Sequence, residues 1–247
     1  MESEKEKEKE AGEGERKRTG KARGKGVRKE RTGRHGKVRK GTGKERRKRR
    51  QEGEKEETME KEKPDLTEKK LRGGLVYDGN LLKVHRDEVL LPGGKEASRE
   101  WIDHPGAAAV IPVLPGNRVV LVRQFRYPVG RELLEIPAGK LDPGESPEEC
   151  AKRETAEETG YKINSLQKIG AFFTTVGFTN EIIHLFYSND LQPCRPGREG
   201  PANADEDENL AVVIRPVAEV LRMIDEGLIM DAKTIIAFLR AQRNGLL

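Results

Sequence analysis

The stretch Ser146-Pro147-Glu148-Glu149-Cys150-Ala151-Lys152-Arg153-Glu154-Thr155-Ala156-Glu157-Glu158-Thr159-Gly160 has both ends of a helix written into it. Ser146 is a strong N-cap, Pro147 suits the first turn, and Glu149 three residues on completes a capping box. Gly160 is a natural C-terminal stop, because only glycine enters the left-handed region without strain. Glu154, Glu157 and Glu158 stand three and four apart and project from one face. Like charges at that spacing oppose helix formation by a few tenths of a kcal/mol per pair, the order of an attractive pair with its sign reversed. The offset expected here is a hard divalent cation, which takes carboxylate oxygens as ligands. Ala151 and Thr155 are small enough to lie against a sheet, and Arg153 is placed to pair with Glu145 or to hold a ligand carboxylate in position. The plainer reading of these carboxylates alone is a solvated acidic face on a surface helix.

Around this helix the texture is that of strands. Alternating and β-branched runs predict strands over 75–77, 81–85, 96–103, 107–114, 118–126 and 131–137, with Asp78-Gly79 and Pro115-Gly116-Asn117 as turns. The helix over 147–159 follows, then strand texture over 162–174 and 181–189, and a Pro/Gly/acid-rich loop over 192–209. A strand over 210–215 and two amphipathic helices over 217–226 and 231–243 close the chain. No internal repeat is present. This order predicts an α+β arrangement or α/β/α layering.

Upstream the composition changes sharply. The 247 residues carry 48 Lys/Arg and 43 Asp/Glu, a net charge of +5. Residues 1–63 hold 25 Lys/Arg and 15 Asp/Glu, a net +10, and the other 184 hold 23 and 28, a net −5. The first segment has only six apolar residues and no aromatic one, too few to offset about 1–2 kcal/mol of backbone entropy per residue. It reads as a disordered charged tail. Its basic block over 21–50 can make weak, sequence-independent contact with nucleic acid, although no aromatic is interleaved for base stacking. The alternatives are a solvated tail without a partner or an upstream stretch included by mistranslation. Pro64-Asp65 marks the boundary. No apolar run approaches the ~20 residues of a membrane span, and the N-terminus has no apolar secretory core. Two cysteines, Cys150 and Cys194, without a CxxC, exclude a disulfide framework or a Cys-based zinc site and suit a reducing cytoplasm.

The spacing Gly139-x5-Glu145-x7-Arg153-Glu154-x2-Glu157-Glu158-x-Gly160 resembles the Nudix box of the Nudix hydrolases, with every fixed residue present. Thr155 fills a slot that is usually aliphatic, and Tyr161 the slot after Gly160. The resemblance implies an α/β fold: a Nudix α/β/α sandwich on a mixed sheet, with a small N-terminal antiparallel sheet. It divides the chain into the tail 1–63, a small dimer-forming β region over 64–104 and a Nudix domain over 105–247. It also implies Mg²⁺-dependent hydrolysis (Mn²⁺ as a substitute) of a nucleoside diphosphate linked to another group. Glu154, Glu157 and Glu158 would ligate metal, with the carbonyl oxygen of Ala138, and Arg153 and Glu157 would belong to the catalytic centre.

The likeness extends beyond the box. Arg99-Glu100, Pro105-Gly106-Ala107-Ala108-Ala109-Val110, Val120-Leu121-Val122-Arg123-Gln124-Phe125-Arg126, Leu134-Glu135-Ile136-Pro137-Ala138-Gly139 and Gly177-Phe178-Thr179-Asn180-Glu181 are similar to the ADP-ribose pyrophosphatases. This implies cleavage of ADP-ribose to AMP and ribose 5-phosphate by a homodimer whose small sheet completes the partner's site. Arg99 and Arg126 would bind phosphate through their guanidinium forks, Glu100 the adenine edge or ribose, and Glu181 metal or substrate. Glu206 in the acidic run Ala204-Asp205-Glu206-Asp207-Glu208 would be the general base, with Glu208 as second choice. Trp101 suits base stacking or plain packing, and His104 and His184 read as structural. Val176 stands where the subfamily has proline, which leaves other nucleoside diphosphate sugars or dinucleotides open as substrates. A reading of another class is a module that binds ADP-ribose-like ligands, tethered to RNA by the basic tail.

Overall fold

The structure, a computed structural model, describes residues 64–195 and 209–247. The charged tail over 1–63 and the candidate bases Glu206 and Glu208 lie outside the described residues. Three strands, β1 (Lys69–Asp78), β2 (Lys83–Leu90) and β3 (Glu96–Asp103), form an antiparallel sheet in that order. The Asp78-Gly79 turn forms as expected, closed by the Gly79 N–H donating to the Leu82 carbonyl at 2.9 Å. β1 starts well before residue 75, in a stretch whose charges and paired glycines hide its extended backbone from pattern reading. It shifts register against β2 twice, once between Lys70 and Arg72 and once between Leu75 and Tyr77.

The larger sheet combines β4 (Ala107–Leu114), β5 (Arg118–Arg126), β6 (Arg131–Glu135), β7 (Ala138–Lys140), β9 (Gln167–Phe173), β10 (Ile182–Ser188) and β12 (Leu210–Pro216). Its main path is β12-β5-β4-β10-β9, with β6 paired to β5 and β7 to β4. β4 and β10 are parallel and the other pairs antiparallel, so the sheet is mixed. β8 (Tyr161–Ile163) and β11 (Leu191–Pro193) form a separate antiparallel pair.

β4 is buried along its whole length because it is covered on both faces. Its odd-numbered residues Ala107, Ala109, Ile111 and Val113 join a core with Val217 and Val220 of helix α2 (Val217–Asp225) and Ala237 and Phe238 of α3 (Ala232–Arg243). Its even-numbered Ala108 and Val110 pack with Cys150 and Ala151 of α1 (Pro147–Thr159) and with Phe186. Side-chain alternation along one strand thus feeds two cores, and the result is an α/β/α sandwich with α1 alone on one face.

Two expected strands differ from what forms. The run 131–137 is cut short: β6 ends at Glu135, before Pro137, which cannot donate to a ladder, and β7 over Ala138–Lys140 is an unexpected further strand that pairs with β4 rather than β5. The run 162–174 becomes β8 and β9, which belong to different sheets. The helix over 147–159 has the expected bounds. The last two helices form within a residue of expectation, with Asp231 serving as N-cap of α3.

Candidate active site

Helix α1 presents the box. The capping box forms in full: the Glu149 N–H donates to Ser146 Oγ at 3.3 Å, and the Ser146 N–H to Glu149 Oε2 at 2.9 Å. Gly160 ends the helix at φ +74°. Cys150, Ala151, Thr155 and Thr159 turn into the core, with the Thr155 hydroxyl donating to the Ala151 carbonyl at 2.7 Å. The polar residue in the usually aliphatic slot is therefore satisfied within its own helix. Burial pushes the Cys150 thiol up to about 12, which removes it as a nucleophile.

The carboxylates lie against β7. Glu158 is buried and its Oε2 accepts the Ala138 N–H at 3.0 Å. A Cβ built on Gly139 would stand 1.8 Å from Glu154 Oε1, so only glycine lets that carboxylate reach the strand. Arg153 threads the cluster. Its Nε and Nη2 donate to the two oxygens of Glu145 at 2.8 and 2.9 Å, and Nη1 donates to Glu154 at 2.8 Å and to Glu157 at 3.1 Å. Nη2 also donates to the Lys140 carbonyl at 3.1 Å, which ties helix to strand. Arg153 holds the Glu145 carboxyl at about 2.

The charge offset expected from a cation alone is thus supplied in part by Arg153. Among the described residues no group of three His, Cys, Asp or Glu side chains is already gathered as a cation cage. The donor chemistry nevertheless fits a hard divalent ion. Glu145, Glu154 and Glu157 share the Arg153 guanidinium and Glu158 lies beside them against the Ala138 N–H, so four carboxylates stand with one arginine along the backbone of Ala138 and Gly139.

Next to this cluster is a network that pattern reading did not assign. Glu135, at the end of β6, is 1% exposed and accepts a two-pronged bond from Arg126, Nε to Oε1 and Nη2 to Oε2, both 2.8 Å. Lys233 of α3 also donates to Glu135, and to Asp231 at 3.0 Å. The Ile136 N–H donates to Thr234 Oγ1 at 3.0 Å, so the start of α3 is fastened to the segment that enters β7. The signal for it was a lone acid in the apolar run Leu133-Leu134-Glu135-Ile136. Arg126 therefore has two of its guanidinium nitrogens engaged by Glu135, while its side chain remains 40% exposed.

The other candidates sit on the small sheet and on the loop joining β9 to β10. Arg99 is engaged by Glu68, through Nε at 2.9 Å and Nη2 at 2.6 Å, in an exposed ion pair. Glu100 is exposed on β3, opposite Arg86. One face of Trp101 is taken by His85, stacked at 4.4 Å, and its Nε1–H donates to Asp87 at 3.0 Å, so packing accounts for this residue. Glu181 accepts from Thr174 Oγ1 at 2.7 Å and faces His104. Val176 is an exposed residue of the same loop. β12, which follows the acidic run, begins at Leu210 opposite Gln124.

Residues 103–235 match the NUDIX domain. The chain belongs to the Nudix family and is a Nudix hydrolase. Within that family it is ADP-ribose pyrophosphatase-like. It is 40% identical over 172 residues to the ADP-ribose pyrophosphatase of Bacillus subtilis (strain 168), covering 70% of this chain and 91% of that protein. It is 36% identical over 149 residues to the GDP-mannose pyrophosphatase of Cronobacter sakazakii, covering 58% of this chain and 75% of that one. A solved structure described as an ADP compounds hydrolase shares the fold, with a TM-score of 0.63 at 21% identity, covering 75% of this chain and all of its own.

Proposed function

We propose that this hydrolase cleaves the diphosphate linkage of ADP-ribose, releasing AMP and ribose 5-phosphate, with Mg²⁺ bound (or Mn²⁺ in its place). The observation that carries the reading is the acidic face of α1 lying against Ala138 and Gly139, where Glu154 occupies the space that a Cβ at Gly139 would fill. Glu154, Glu157, Glu158 and the Ala138 carbonyl would hold the metal. A divalent ion held there would supply charge neutralisation for the diphosphate and would lower the pKa of a water. Arg153 keeps the carboxylates in register and restrains their mutual repulsion. Arg126, held by Glu135 on one side, offers its remaining N–H groups to a phosphate, and Arg99 does the same from the small sheet once released from Glu68. Glu100 serves the adenine edge or ribose, and Glu181 the metal or substrate. Glu206, with Glu208 as second choice, takes the proton from the attacking water. The relative from Bacillus subtilis, named as an ADP-ribose pyrophosphatase, supports this substrate.

A second substrate class has its own support, in the relative named as a GDP-mannose pyrophosphatase and in Val176 at the subfamily's proline position. Exposed Leu71, Leu75, Val76, Tyr77 and Leu82 on the three-stranded region favour a homodimer formed through that sheet. We place the enzyme in a reducing cytoplasm. Among the described residues no helix is long and apolar enough to cross a membrane. The domain boundaries near residues 63 and 104 and the weak nucleic-acid contact through the tail complete the proposal. The test is product analysis with ADP-ribose and GDP-mannose in Mg²⁺, with and without chelator. AMP release that stops on chelation is expected. Turnover of GDP-mannose alone would move the assignment to the second class, and turnover indifferent to chelator would overturn the metal site.

A further inference from the structure

The segment Asp103-His104-Pro105-Gly106 joins the small sheet to β4, and its polar groups converge on the loop that carries Glu181. Two Asn180 contacts pin that loop: the His104 N–H donates to Asn180 Oδ1 at 2.8 Å, and Asn180 Nδ2 donates to Asp103 Oδ1 at 2.8 Å. The loop backbone also pairs with β3, the Ile102 N–H donating to the Phe178 carbonyl at 2.8 Å. Within this frame His104 has a defined proton. Pro105 has no N–H, and Gly106 takes φ +93°, so the Gly106 N–H turns back and donates to His104 Nδ1 at 3.1 Å. An imidazole that accepts at Nδ1 carries its proton on Nε2. That Nε2 lies 3.5 Å from Glu181 Oε1, while Thr174 holds the other carboxylate oxygen at 2.7 Å. The His104 and Glu181 side chains are only 16% and 26% exposed, so water competes weakly for the contact.

We infer that His104 is a positioning residue for Glu181: with Nδ1 committed to Gly106, its Nε2–H and the Thr174 hydroxyl fix the two oxygens of that carboxylate. A surface carboxylate would otherwise sample several rotamers, and small misplacements of a reacting group cost up to about a hundredfold in rate. The inference rests on the reading that Glu181 serves the metal or substrate.

The test is steady-state hydrolysis of ADP-ribose in Mg²⁺ by the full chain, with thermal melts in parallel. The variants are His104→Phe, His104→Gln, His104→Asn, Glu181→Gln and the double variant His104→Phe/Glu181→Gln. Gln can place a donor where Nε2 stands, and Asn an acceptor where Nδ1 stands. The expected result is a fall in kcat of about ten- to a hundredfold for His104→Phe. His104→Gln recovers most of it. His104→Asn recovers melting temperature but not kcat. The double variant is no slower than Glu181→Gln alone, because both act through one group. Losses that multiply in the double variant, or kcat restored equally by Asn and Gln, would overturn the inference and leave the functional reading standing. Wild-type turnover in Glu181→Gln would instead remove Glu181 from the site, and the inference with it.

Discussion

Replacing Glu135 by Gln tests the network beneath Arg126, and the structure sets the size of the effect. Burial alone would raise the Glu135 carboxyl, but the Arg126 fork and Lys233 overcome it and hold the group at about 2, against 4.5 for an ordinary glutamate. A carboxylate whose folded value is depressed contributes stability above its unfolded value and loses it as pH falls through the folded one. The difference corresponds to roughly 3 kcal/mol at neutral pH, at about 1.4 kcal/mol per unit. This agrees with the roughly 3–5 kcal/mol seen when one partner of a buried ion pair is removed. For a domain of this size the change amounts to about 6–12 °C in Tm. Urea melts of wild type and Glu135→Gln should therefore differ by roughly 3 kcal/mol near pH 7. The gap should close between about pH 4.5 and 2.5, to under about 1 kcal/mol at the lower end. Taking the difference between the two proteins cancels every other titrating group common to both. A gap that stays flat over this range, or one below about 1 kcal/mol at neutral pH, would refute the view that a charged Glu135 clamps Arg126 and Lys233.

Three further outcomes are expected. Glu157→Gln should lower kcat by about a hundredfold or more with Tm nearly unchanged, since Glu157 is the most exposed of the three box carboxylates; near-native turnover would remove it from the metal set. Gly139→Ala places a methyl 1.8 Å from Glu154 Oε1, so Mg²⁺ affinity, read by titrating activity, should weaken strongly with a stability loss of about 1–3 kcal/mol. Ser146→Ala deletes the acceptor for the Glu149 N–H and should cost about 1 kcal/mol in a urea melt, with kcat little changed.

The α1 segment was legible from sequence because its rules are local. A capping serine, a glutamate three residues on, and a glycine stop depend only on neighbours in the chain, and the helix has the expected bounds. Carboxylates three and four apart share a face by helical geometry alone. The apolar, β-branched run of β4 was equally readable as a strand, although not which of its faces meets which helix.

What needed the tertiary structure depends on residues far apart in the chain. Nothing near Glu135 announces that Lys233 will reach it across 98 positions, and Arg126 looks like a free phosphate fork until that partner is in view. The same holds for Arg99 and Glu68, 31 positions apart, and for His104, which meets Glu181 only because β4 and β10, the strands that follow them, pair in parallel. The texture over 162–174 was visible as one strand, but only the pairing of β8 with β11 and of β9 with β10 turned it into two. Local hydrogen bonds and periodicity are properties of a few consecutive residues. Ion pairs and strand partners are chosen by folding, and the charge that each side chain finally faces is decided there.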